Sequence, residues 1–455
     1  MEMILEFLRD VLSQPALLIG IMSCVGLIAL KRPFHKIMTG TLKPILGYLM
    51  LAAGAGVIVS NLDPLGKMIE HGFHITGVVP NNEAIVAVAQ KVLGVETMSI
   101  LVVGLLMNLL IARFTKFKYV FLTGHHSLFM ACLMSAVLGT AGLSGIELIL
   151  VGGFLMGAWS AISPAIGQSY TSKVTDGDEI ALGHFGSLGY YLSAWVAKYV
   201  GKAEESTEDI EIPEKWGFLR DSTLSTALTM IVFYLIAAIA AGSEFVATLS
   251  GSMSPYLFAV MSAMNFAVGV AIVYSGVRMI LGDLIPAFQG IATKIIPNAI
   301  PAVDCAVFFT YAPTAVVLGF ISSFIGGIIG MLILGAVGGV LIIPGLVPHF
   351  FCGATAGIYG NATGGRRGAA VGAFLNGLAI TFLPALALPV LGQLGFQNTT
   401  FGDADFAVMG LVLGNAFEWI GMAGIYGIVV IAALVLIIPN FIKTKGKVIN
   451  YVEED

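Results

Sequence analysis

Apolar residues recur in runs of about 20 along this chain. The runs fall at 15–31, 41–60, 95–113, 121–143, 146–166, 224–242, 255–277, 315–338, 368–391 and 422–441, with a further one at 340–358. Each is long enough to cross a bilayer as a helix, and together they predict about 11 spanning helices. A transmembrane barrel would instead show short segments of alternating polarity. Three segments break the pattern: 173–202, 284–312 and 396–420 mix apolar stretches with Gly, Pro or acidic residues. They read as re-entrant hairpins or amphipathic helices, because irregular backbone at membrane depth must be enclosed by protein or face water. The longest polar stretch, KAEESTEDIEIPEKWGFLRDS at 202–222, splits the chain near its middle. It predicts a cytoplasmic linker between a first membrane half, 1–201, and a second, 223–441, with a tail at 442–455. The opening MEMILEFLRDVLSQPALLIG has no basic n-region and no small-residue cleavage site, so it reads as an amphipathic lead-in to the first span.

Composition turns this pattern into a class. Of 455 residues, 57% are apolar and 11% are charged, and the mean hydropathy is +0.94. A soluble chain carries about 25% charged residues. The expected fold is therefore an all-α polytopic membrane protein, and nucleic-acid binding, a disulfide scaffold and a separate soluble catalytic domain are excluded. Basic residues follow the first span (Lys31, Arg32, Lys36), the third (Arg113, Lys116, Lys118) and the last (Lys443, Lys445, Lys447). By the positive-inside rule all three groups face the cytoplasm, which places the N-terminus outside and the C-terminus inside. Cys24, Cys132, Cys305 and Cys352 are far apart in apolar surroundings and read as packing residues, with no CxxC pattern for a metal. No metal or cofactor is expected.

The halves are weakly alike. Lys43-Pro-Ile-Leu-Gly47 has a counterpart in Arg278-Met-Ile-Leu-Gly282. Pro80-Asn-Asn-Glu83 matches Pro301-Ala-Val-Asp304, Gly124 matches Gly345, and Asp176-Gly-Asp178 matches Asp403-Ala-Asp405. The shared order predicts two pseudo-symmetric repeats, and repeats with broken elements at equivalent places mark a transporter. The substrate is then expected between the halves.

Ionisable groups in apolar segments are functional candidates, since each is costly at membrane depth unless paired or wetted. His125-His126 opens an apolar run in LTGHHSLFM, and His184 follows an acidic turn in DGDEIALGHFGSLGYY. Asp304 is the one acid in a long apolar region, just after a proline, and a carboxylate there can accept two hydroxyl hydrogen bonds. Asn82-Glu83 is its mate in the first repeat. Structural roles fit the same positions: an interfacial histidine pair, a capping histidine, an ion pair of Asp304 with Lys294 or Arg278, and a plain helix start at Asn82. No nucleophile-plus-base set, phosphate-cradling loop or HExxH is present, and Gly360-Asn-Ala-Thr-Gly-Gly-Arg-Arg367 does not match a P-loop.

Several of these stretches resemble the membrane (IIC) component of ascorbate-type phosphotransferase systems, the bacterial vitamin C permease family. The resemblance runs over nearly the whole chain. It is most specific at LTGHH (122–126), VTDGDEIALGH (174–184), GVRMILGDLIPAFQGI (276–291), PAVDCAVFFTYAPTAVVLGF (301–320) and LIIPGLVPHFF (341–351). It implies an eleven-span homodimer in the cell membrane, with a V-shaped dimerisation domain and a core domain that holds the sugar. It also implies sugar contacts at His125, His184 and Asp304, and phosphorylation of the cargo by a separate IIB protein supplied by a IIA protein. The sequence departs from that family at Phe129 and Phe185, where the vitamin C permease has glutamines, and at Asn82-Glu83, where it has Thr-Tyr. Two amide positions thus become apolar rings, which suit the apolar face of a sugar and leave a different polyol or pentose-like cargo open. The expected function is a phosphotransferase-system permease for an ascorbate-like sugar, with His125, His184, Asp304, Asn82, Glu83, Phe129 and Phe185 at the site. The alternative is an ion- or proton-coupled transporter on the same fold.

Overall fold

A computed structural model describes residues 11, 14–74, 77–80, 82–210, 222–392 and 399–441. The expected lead-in up to residue 10, the linker beyond residue 210 and the basic tail with Lys443, Lys445 and Lys447 lie outside them.

In chain order the elements are α1 (Pro15–Ala29), α2 (Phe34–Phe73), β1 (Val79–Pro80), α3 (Asn82–Phe114), β2 (Tyr119–Phe121), α4 (Gly124–Thr140), α5 (Gly145–Thr175), β3 (Ala181–Leu182) and α6 (Ser187–Val200). The second half has α7 (Ser222–Ala241), α8 (Ser243–Ser250), α9 (Pro255–Lys294), β4 (Ile300–Val303), a 3-10 helix (Cys305–Thr310), α10 (Pro313–Ala336), α11 (Leu346–Gly392), β5 (Thr399–Thr400), α12 (Ala404–Ile420) and α13 (Met422–Phe441). Prolines open α1, α9 and α10, where the missing N–H would have had no helical partner. The protein is a helical, multi-pass membrane protein. Among the described residues seven helices are long and apolar enough to cross a membrane, or eight if α7 and α8, bent by 117°, form one span. Several expected runs are shorter helices: α1 has 15 residues and α4 has 17.

α11 accounts for two expected runs at once. Gly364 and Gly365 inside it are not helical, and Gly365 has φ +58°. A Cβ on Gly360 would strike the Gly368 carbonyl, and one on Gly368 would strike the Gly360 carbonyl. In a straight helix these residues would stand about 12 Å apart. α11 is therefore a hairpin of two arms, 346–363 and 366–392, turning at the Gly-Gly-Arg-Arg sequence.

The helices pack in two groups. α1, α2, α7, α8 and α9 lie against one another, and α3–α6 pack with α10–α13. In the first group α2 and α9 cross on glycines. A Cβ on Gly47 would come within 2.9 Å of the Gly276 carbonyl, and one on Gly54 within 2.7 Å of the Gly269 carbonyl. Small residues let helix backbones approach closely where lipid offers no hydrophobic drive for association.

The second group holds the short strands, and their pairing crosses the two halves of the chain. β4 lies between β2 and β3, parallel to both. β1 pairs in parallel with β5, and Val78 bridges to Ile342. The segments at 173–202, 284–312 and 396–420 thus each contain a strand that runs straight into a helix or 3-10 turn. Strand pairing satisfies the backbone groups that the broken helices leave free.

Candidate sugar site at the strand–helix junctions

Each junction delivers polar side chains to one place. β1 leads to Asn82 at the start of α3, β2 to His125 and His126 in the first turn of α4, and β3 to His184 before α6. β4 leads to Asp304, the N-cap of the 3-10 helix, and β5 to Asp403, the N-cap of α12. Helix N-termini carry unpaired N–H groups and a partial positive charge, so this convergence favours electron-rich ligand oxygens.

Asp304 is buried. Its Oδ1 accepts the Ala306 N–H at 3.1 Å and its Oδ2 lies 3.4 Å from His125 Nε2. It pairs with neither Lys294 nor Arg278, which are both exposed. His125 is 3.1 Å from the Tyr48 hydroxyl through Nδ1, so α2 of the first helix group touches the site. His126 and His184 are both buried, with ring centroids 3.8 Å apart. The Phe185 N–H donates to His126 Nδ1 at 3.3 Å, and the Gly186 N–H donates to His184 Nδ1 at 3.1 Å. The Tyr190 hydroxyl is 2.9 Å from the same His184 nitrogen. A backbone N–H can only donate, so each Nδ1 accepts and each neutral ring carries its proton on Nε2.

Asp403 closes the cluster. Its Oδ1 accepts from the Cys352 thiol at 2.9 Å and its Oδ2 from the Asn82 amide at 2.5 Å. Asn82 Oδ1 in turn accepts the Gly402 N–H at 2.9 Å. His126, His184 and Asp403 have ligand atoms within 4.8 Å of one another, as do His184, Asp304 and Cys305. That spacing suits a cation, but the Nδ1 atoms are already engaged by backbone donors. Hydrogen-bond donation from Nε2 is the chemistry this arrangement leaves available.

The structure brings His125, His184, Asp304 and Asn82 together. Asn82 is a clamp on the Gly402–Asp403 turn as much as a candidate ligand contact. Phe129 meets His125 edge-on at 5.8 Å and His126 at a tilt at 5.7 Å, a position fit for an apolar wall. Phe185 is different: its ring is fully buried and stacked 4.6 Å from Phe121, and it meets His126 both through its backbone N–H and through its ring at 6.1 Å. Of Glu83 only its place in the first turn of α3 is described; the expectation for its side chain lies outside the described residues. The sequence alone does not mark Tyr190 or Tyr48, reads Cys352 as a packing residue and gives Asp403 only as the repeat mate of Asp176. Asp403 had a signal. Gly183-His184 and Gly402-Asp403 each follow a two-residue strand and precede a helix, a closer correspondence than the match of Asp403 to Asp176. Asp176 instead ends α5 in a left-handed conformation.

The family model described as "PTS system sugar-specific permease component" (EIIC-GAT) matches residues 10–405. The chain belongs to this family of sugar permeases. It is also similar to the "Ascorbate-specific PTS system EIIC component" of Mycoplasma pneumoniae (strain ATCC 29342 / M129 / Subtype 1), at 26% identity over 417 residues, 78% of this chain. The permease described here spans 62% of the length of that relative.

Proposed function

We propose that this permease binds an ascorbate-like sugar at the junction cluster and moves it across the cell membrane for phosphorylation by a separate IIB protein, itself supplied by a IIA protein. The observation that carries the site is the meeting of His125, His126, His184, Asp304 and Asp403, from four separate junctions and both halves of the chain. Carboxylates accept sugar hydroxyls, imidazole Nε2–H groups donate to sugar oxygens, and Phe129 offers a ring for the apolar face of the sugar. The likeness to an ascorbate-specific relative supports the sugar class. The strand pairs that cross the halves support two pseudo-symmetric repeats with cargo between them. The helix group of α1, α2, α7, α8 and α9 is the dimerising scaffold of a homodimer, and the other group is the core that moves against it. The basic residues after the first and third spans support an external N-terminus and a cytoplasmic C-terminus.

Binding of ascorbate and of common polyols to the purified protein in detergent tests the site, with His184→Ala and Asp304→Ala beside the unchanged chain. Unaltered affinity in both variants would overturn the site. Uptake that persists in cells lacking IIA and IIB proteins would overturn the coupling. Accumulation in liposomes driven by a proton or sodium gradient alone would favour the ion-coupled reading instead.

A further inference from the structure

Asp405 is fully buried, yet its carboxylate belongs to a separate set of bonds from the cluster above. Oδ2 accepts the Ser187 hydroxyl at 2.7 Å and the Trp159 indole N–H at 3.2 Å. Oδ1 accepts the Leu188 N–H at 2.9 Å. The Asp405 N–H donates to the Phe185 carbonyl at 2.9 Å. Three of these four bonds land on residues 185–188, the turn between β3 and α6. The fourth, to Trp159, anchors the turn to α5.

That turn carries the two N–H groups that reach the histidines. Phe185 N–H meets His126 Nδ1 and Gly186 N–H meets His184 Nδ1. The residue after Asp405, Phe406, lies against the His126 ring at 5.6 Å and 16°. A carboxylate is suited to this place because both of its oxygens accept. An amide offers one accepting oxygen and turns an NH2 group toward a donor.

We infer that Asp405 is a positioning residue: by pinning residues 185–188 it holds the Phe185 and Gly186 N–H groups on His126 and His184, and so keeps both rings as Nε2–H donors toward the sugar. The final clause rests on the sugar-site reading; the claim about the histidines does not. A ring whose Nδ1 partner drifts away can take its proton on Nδ1, and it then offers the sugar an acceptor where a donor is needed. Loss of a buried, charge-assisted hydrogen-bond set of this kind changes affinity by a factor of about ten or more.

The test uses full-length protein in lipid bilayers with isotope-labelled histidine, read by solid-state nitrogen NMR at mildly alkaline pH. His126 and His184 signals are assigned from single His→Gln variants. In the unchanged protein both rings are expected as Nε2–H tautomers. Asp405→Asn is expected to populate the Nδ1–H form of both and to weaken sugar binding about tenfold. Trp159→Phe, which removes one donor of three, is expected to keep the tautomers and to change affinity less than about threefold. Folded Asp405→Asn protein with unchanged tautomers would overturn the inference. If Asp405→Asn does not fold, the Ser187→Ala, Trp159→Phe double variant leaves the carboxylate with Leu188 alone; unchanged tautomers there would overturn it equally. A tautomer shift with undiminished sugar affinity would overturn the link to the sugar. If the unchanged protein binds no sugar, the sugar-site reading fails while the NMR result still decides the role of Asp405.

Discussion

The α2–α9 crossing and the strand–helix junctions both bring backbone against backbone inside a membrane, and they do so by opposite means. At the crossing, Gly47 and Gly54 meet Gly276 and Gly269 with no side chain between. The backbone runs helical on both sides, so the pair is held by close fit of glycines and by an ion pair, Lys43 with Asp283 at 3.5 Å. The outer faces remain apolar, with Leu42, Leu46 and Leu49 exposed on α2 and Leu257, Met261 and Met264 on α9. At the junctions the helices start in mid-structure, and their first N–H groups need partners. Side chains supply several of them: Asp304 takes the Ala306 N–H and Asp405 the Leu188 N–H, while Asn82 takes the Gly402 N–H just before α12. The crossing gives an apolar surface built on close packing, and the junctions give a cluster of polar groups at the cost of a backbone that depends on a few polar side chains.

Asp403 is where this contrast predicts the largest effect. Asp403→Ala removes the acceptor for Asn82 and Cys352 and leaves a part-buried amide NH2 and a buried thiol without that acceptor. Sugar affinity is expected to fall about 100-fold, measured by calorimetry or fluorescence on the purified protein. Asp304→Ala is expected to match it, and His126→Ala to fall within the same range. Affinity within about twofold of the unchanged protein for Asp403→Ala would remove it from the site. Gly276→Leu acts on the other region. It forces a side chain into the Gly47 carbonyl and the Leu51 backbone, and overpacking of this kind costs about 1–3 kcal/mol. A lower thermal midpoint with sugar affinity preserved in the folded fraction is the expected result. A large affinity loss at unchanged midpoint would show that the two regions are not separable in this way.

Much of the crossing was legible in the sequence, and the junctions only partly. Long apolar runs rich in glycine read as packed spans because length and hydropathy need no partner to be interpreted. The sequence match pairs Gly47 with Gly282, whereas in space Gly47 meets Gly276, outside the matched stretch. At the junctions, Asp304 and His184 stood out because each was an ionisable residue in apolar surroundings. Asp403 did not, since it follows polar residues that make it look like an ordinary loop acid. Its burial comes from β5 pairing with β1, a contact across 320 residues of chain between Pro80 and Thr400 that local pattern cannot carry. Phe185 shows how burial qualifies a sequence expectation. Its ring is fully buried and stacks on Phe121, and it also lies 6.1 Å from the His126 ring, so it packs behind the histidine. The Gly-Gly-Arg-Arg stretch read as a loop, and the structure makes it the tip of the α11 hairpin.

Phe129 sharpens the comparison at a smaller scale, because it changes recognition with little change in backbone. It stands edge-on to His125 and tilted to His126, and it is buried. Phe129→Gln restores an amide where the vitamin C permease family has one. If the ring sets the cargo, the variant is expected to shift preference between ascorbate and an apolar-faced polyol about tenfold, read as a ratio of affinities. An unchanged ratio would place the selectivity elsewhere in the cluster.

The smallest expected effect lies outside both regions, at the described start of the linker. Glu208 accepts the Thr314 and Ala315 N–H groups and the Thr314 hydroxyl, and so caps the first turn of α10. The Thr207 N–H donates to Asn361 at 2.8 Å and the Arg366 N–H to the Glu205 carbonyl at 2.8 Å, which ties the same strap to the tip of the α11 hairpin. The carboxylate is exposed, and loss of a helix cap costs about 1 kcal/mol in favourable cases. Glu208→Ala is therefore expected to lower the thermal midpoint only slightly and to leave sugar affinity unchanged, because its bonds run to Thr314 and Ala315 and to none of the cluster residues. Glu208→Gln, which keeps one accepting oxygen, is expected to recover part of that loss. A drop in sugar affinity as large as that of Asp304→Ala would mean that the strap and the junctions act as one unit, and the separation drawn between recognition and scaffold would have to include the linker.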